Sequence, residues 1–78
     1  MDSKELFLLL EKFLLDNDLY SQYVNYILER TNMTLEEWIK WCTSNRFWRS
    51  HPEQLLFLPC IPFNIMNKWE ELIKNIKN

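Results

Sequence analysis

Hydrophobic residues recur every three or four positions along almost the whole chain, the spacing of helices that bury one face. Asp2 and Ser3 precede a segment that reads as a helix to about Leu15, in which Leu6, Leu9, Leu10, Phe13 and Leu14 share one broad face when projected at about 100° per residue. Asp2 and Glu5 stand at capping-box spacing ahead of it. Leu8 and Leu15 fall on the opposite side, with Lys4 and Glu11 on one flank and Glu5 and Lys12 on the other. The first helix therefore carries a second apolar stripe, which a small bundle covers less easily than the first. Asp16-Asn17-Asp18 closes it, with Asn17 the expected residue for a left-handed C-terminal position.

The same pattern places a second helix from about Leu19 to Arg30, with Tyr20, Tyr23, Val24 and Ile27 inward and Ser21, Gln22, Asn25 and Glu29 toward water. After a turn at Thr31-Asn32-Met33, Thr34 and Glu37 form the clearest capping box in the chain. Leu35, Trp38, Ile39 and Cys42 line the inner face of the helix that follows, and Trp41 sits at its edge. Continuing this helix beyond Asn45 would turn Phe47 to the polar side, so it is expected to end between Thr43 and Asn45. Ser50 and Glu53 mark another start around Pro52, leading into a short, wholly apolar and buried helix at Leu55–Leu58 that Pro59 stops. From about Asn64, Ile65, Met66, Trp69, Leu72, Ile73 and Ile76 fall within an arc of about 120°. The pattern contains no strand alternation and no repeat. It predicts an all-α fold, a compact bundle of four to five short helices without a sheet.

Composition narrows this picture. The 78 residues are too few to divide their apolar side chains between two cores, so residues 1–78 are expected to form one domain. A hydrophobic content of 47% and an aromatic content of 15% exceed what disordered segments carry. A net charge of −2 argues against a general polyanion binder. The run from Leu6 to Leu15 is broken by Glu11 and Lys12 and is too short to span a bilayer. With no signal peptide in view, a cytoplasmic protein with two reduced cysteines is expected. The absence of alanine and the eight asparagines suit an AT-rich genome, with which a phage or mobile-element source is compatible.

The residues from Trp38 to Pro52 stand apart from the rest. They hold three of the four tryptophans, Phe47, the one histidine and the cations Lys40, Arg46 and Arg49, with no carboxylate among them. Outside this stretch six Lys and Arg face eleven Asp and Glu. Catalytic and metal chemistry do not account for the island. Cys42, His51 and Cys60 are spaced by nine residues, unlike any common zinc knuckle, even with Glu53 as a fourth ligand. No glycine frames an oxyanion site for a Cys/His pair, and the adjacent pairs Glu36-Glu37 and Glu70-Glu71 diverge on a helix. No catalytic residue, metal or cofactor is therefore assigned.

Two binding readings remain. Arg46, Phe47, Trp48 and Arg49 combine cations with flat rings, as nucleic-acid binders do, and Thr34 to Cys42, followed by a turn and a second helical start, loosely outlines a helix-turn-helix. Against it, the second segment offers a carboxylate and leucines where base-reading side chains belong. Protein recognition fits better, because Trp and Arg bury much area while keeping a polar tip. The expectation is a small binding module, an adaptor, immunity factor or inhibitor of a larger protein. Its contact residues are Trp41, Arg46, Phe47, Trp48 and Arg49. Leu8 and Leu15 form a second candidate surface, for a partner or for a homodimer.

Overall fold

The computed structural model describes residues 2–77, the side chain of Lys77 excepted. Among the described residues there are five α-helices, one 3-10 turn and no strand: α1 (Ser3–Asp16), α2 (Tyr20–Thr31), α3 (Leu35–Ser44), α4 (Arg46–Ser50), η1 (Pro52–Leu56) and α5 (Phe63–Lys77). The all-α bundle expected from the pattern is the fold observed. Its extents of 33 × 27 × 18 Å leave room for two layers of helices in the thinnest direction. No helix among these is long and apolar enough to cross a membrane.

Helix ends are set by short polar side chains, since the chain has no glycine. The Asp2 carboxylate accepts from the Glu5 amide at 2.8 Å and opens α1. At its far end the left-handed residue is Asp18 (φ 61°), not Asn17. Asn17 instead extends the last turn, its side-chain amide donating to the Phe13 carbonyl at 2.8 Å, so the reversal falls one residue later. The Leu19 amide then reaches back to the Leu14 carbonyl and the Asp18 amide to that of Leu15, the paired bonds of a Schellman cap with aspartate in glycine's usual place. Asn32 (φ 58°) ends α2 in the left-handed region, as an asparagine can. Thr34 and Glu37 close their capping box with bonds of 3.0 and 3.2 Å.

In the middle of the chain the third helix ends where expected, between Thr43 and Asn45, and the segments after it differ from their sequence reading. The third helix stops at Ser44, and Asn45 both ends it and caps α4, accepting from the Phe47 amide at 3.0 Å. A five-residue helix is too short to leave a periodic signature, which is why α4 was not anticipated. The following segment starts at Pro52 with His51, rather than Ser50, in the cap position, and winds as a 3-10 turn that ends at Leu56. It buries Leu55 and Leu56, whereas Phe57 is exposed and Leu58 only half-buried.

One cluster of side chains fills the interior: Leu6, Leu10 and Leu14 from α1, Tyr23 and Ile27 from α2, Leu35, Trp38, Ile39 and Cys42 from α3, Leu55 and Leu56 from η1, and Ile65, Trp69 and Ile73 from α5. Three polar tips in this apolar volume are matched. The Trp69 indole donates to the Pro52 carbonyl at 3.1 Å, fastening α5 to η1. The Trp38 indole donates to the Tyr23 hydroxyl at 3.1 Å, which donates in turn to the Leu55 carbonyl at 3.0 Å. That relay links α2, α3 and η1 through atoms far apart in sequence.

Candidate protein-docking surface

The aromatic residues of the central island form a row of rings. Trp41 lies nearly parallel to Trp38, with centroids 5.4 Å apart and planes inclined by 17°. Trp38 meets Trp48 edge-on at 6.0 Å. Trp48 meets Phe47 at 5.4 Å and 87°, and Phe47 meets the His51 ring at 4.9 Å. The first three pairs are the stacked and edge-to-face arrangements that ring quadrupoles favour, and the last is tilted at 49°.

The row runs from surface to interior and back. Trp38, second in the row, is buried and tied to Tyr23. Trp48 is half-buried against the core, while Trp41 and Phe47 on either side remain 42% and 54% exposed. The island is thus neither all surface nor all core, and Trp48 belongs partly to the packing that supports the others. The corner between α3 and α4 makes this division: had α3 run on, Phe47 and Trp48 would have trailed off along one helix instead of folding back over Trp38.

Arg46 and Arg49 project from one side of α4, three residues apart and exposed. No ion pair among the described residues involves either guanidinium; Lys40, by contrast, pairs with Glu36 at 3.5 Å. The two guanidiniums thus stand exposed beside the exposed rings of Trp41 and Phe47.

Comparison with protein-family models, curated proteins and solved structures finds no match to this chain.

The remaining reactive side chains are held in unreactive states or apart. Cys42 is buried, and burial pushes its thiol up to about 12. Cys60 is half-buried and also raised by burial. His51 faces Glu53, Nδ1 to Oε1 at 3.4 Å, and is exposed on its other side. Cys42, His51 and Cys60 do not converge, and among the described residues no group of three or more His, Cys, Asp and Glu is placed to hold a metal. On the far side of α1, Leu8 and Leu15 are 54% and 57% exposed. Phe57 and Phe63 are further exposed rings that the sequence reading did not single out. The signal was present for Phe63, which lies about 120° from the centre of the apolar arc of α5.

Proposed function

We propose that this chain is a small protein-binding module, an adaptor, immunity factor or inhibitor, that works by covering a surface of a larger protein with Trp41, Phe47, the outer face of Trp48, and Arg46 and Arg49. The observation that carries this reading is the anchoring of the ring row. Trp41 rests on the buried Trp38, which the bonds to Tyr23 and on to Leu55 fix, and Phe47 rests on Trp48, half-buried against the core, so less side-chain freedom remains to be lost when a partner covers them. Large rigid rings flanked by arginines are the side chains that dominate binding energy at protein interfaces. The cations favour an acidic or polar partner surface, and the carboxylates outside the island disfavour nucleic acid. A cytoplasmic setting belongs to the same proposal, as does the absence of enzymatic activity: a thiol raised to about 12 supplies almost no thiolate at neutral pH.

Affinity capture from the native host tests it, with the wild type and Phe47→Ala/Arg49→Ala as baits. Both substituted side chains are exposed, so the variant should retain the thermal stability of the wild type and lose the captured protein. Equal capture by both baits contradicts the proposal. Salt-dependent oligonucleotide binding that the variant loses would move residues 38–52 to the nucleic-acid reading.

A further inference from the structure

The outer ridge of α1 has no partner within the chain. Leu8 and Leu15 lie opposite the buried Leu6, Leu10 and Leu14, two helical turns apart on a nearly straight line. Beside Leu8 an open groove of about 380 Å³, lined by Ser3, Lys4, Phe7, Leu8, Glu36 and Lys40, separates α1 from α3. The charges flanking the ridge follow a simple order. Lys4 and Glu11 lie about 50° to one side of the leucine line, Glu5 and Lys12 about 50° to the other. None of the four is held in an ion pair by another described residue of its own chain.

We propose that this ridge is a homodimer interface in which α1 of one protomer packs parallel to α1 of a second copy about a two-fold axis along the helices. A two-fold of this kind brings opposite flanks together. Leu8 then meets Leu8 and Leu15 meets Leu15, while Lys4 faces the partner's Glu5 and Glu11 faces the partner's Lys12. The paired charges stand about 1.5 Å apart along the axis. Antiparallel packing satisfies only half of this. Centred between the two leucines it buries both, but sets Glu11 against Glu11 and Lys12 against Lys12. Centred on Leu8 it pairs the charges and leaves Leu15 without its leucine. Side-by-side helix dipoles oppose the parallel arrangement weakly, because they act only over the terminal turns. One helix against one helix covers far less than the ~1,600 Å² of a standard stable interface, so the dimer is weak and concentration-dependent. The assignment is independent of the ring row.

Sedimentation velocity from about 10 μM to about 1 mM reads the equilibrium directly. The wild type is expected to dimerise within this range, and Leu8→Ser/Leu15→Ser to remain monomeric with unchanged thermal stability. Glu11→Lys should weaken the dimer roughly tenfold by turning two attractive pairs repulsive. Adding Lys12→Glu should restore it, because only in the parallel arrangement do residues 11 and 12 face each other across the axis. A dimer indifferent to the leucine substitutions, or a double charge swap that stays weak, overturns the assignment. So does a wild type monomeric throughout whose leucine variant instead loses capture of a larger protein, which would give the ridge to a heterologous partner.

Discussion

Replacing Tyr23 by phenylalanine removes one oxygen atom from the junction of three elements, and its cost follows from what that oxygen joins. The hydroxyl is buried, accepts from the Trp38 indole at 3.1 Å and donates to the Leu55 carbonyl at 3.0 Å. Without it, a buried N–H and a buried C=O lose these partners, at about 1–3 kcal/mol each. Relief from burying a hydroxyl returns roughly 1 kcal/mol, which leaves a net loss of about 1–5 kcal/mol. A chain of this length has a total stability of about 4–12 kcal/mol. At about 4–8 °C per kcal/mol, the midpoint of thermal unfolding followed by circular dichroism should fall by roughly 4–40 °C.

The same substitution should alter the alkaline limb of the stability profile. Burial, in the first place, drives the Tyr23 phenol far above its ordinary value of 10.0, with the Trp38 hydrogen bond only partly offsetting it. Because the folded state keeps this proton after the unfolded state has released it, the contribution is intact below about pH 10. Above that it is lost at up to about 1.4 kcal/mol per pH unit. Tyr23→Phe should flatten this limb. A midpoint shift under about 4 °C together with an unchanged alkaline slope would refute the view that the relay holds α2, α3 and η1 together.

Three further outcomes are expected. Thr34→Ala should cost about 1 kcal/mol in denaturant titration by removing the capping-box hydroxyl of α3. The amide and hydroxyl of Thr34 hold the Glu37 carboxyl below its usual range, so the box should also weaken as the pH falls below that range. Cys42→Ala should remove a loss of stability that begins near pH 9, where the unfolded thiol ionises and the buried one, raised to about 12, does not; alkaline denaturation under reducing conditions reads this. Trp48→Ala should destabilise by about 2–4 kcal/mol because its ring packs on the core, whereas Phe47→Ala should stay within about 1 kcal/mol of the wild type in the same titration.

The helices that bury a continuous face were legible from residue spacing alone. In α1, α2, α3 and α5 the spacing of Leu6–Leu10–Leu14, Tyr23–Ile27, Trp38–Cys42 and Ile65–Trp69–Ile73 marked the inner side, and Thr34 with Glu37 marked a start. What periodicity could not convey is geometry over fewer than two turns. The helix Arg46–Ser50 and the 3-10 turn Pro52–Leu56 are set by Asn45, His51 and Pro52 acting locally, and they decide which face of each ring in the island looks outward. The shift of the left-handed residue from Asn17 to Asp18 has a similar origin: an amide side chain prefers a nearby carbonyl, and the backbone reverses at the next position. The exposed leucines of α1 were visible as a misfit in the pattern. The tie between Trp38, Tyr23 and Leu55 was not, because nothing local connects residues 15 and 32 positions apart.

Site-specific photo-crosslinking in the native host tests the docking proposal most directly, with a benzophenone amino acid placed at position 47, in the exposed ring row, or at position 75, on the solvent face of α5. A discrete protein adduct is expected from position 47, lost when Arg49→Ala is added, and none from position 75. No protein adduct at position 47, in a chain that remains folded and expressed, would contradict the docking proposal.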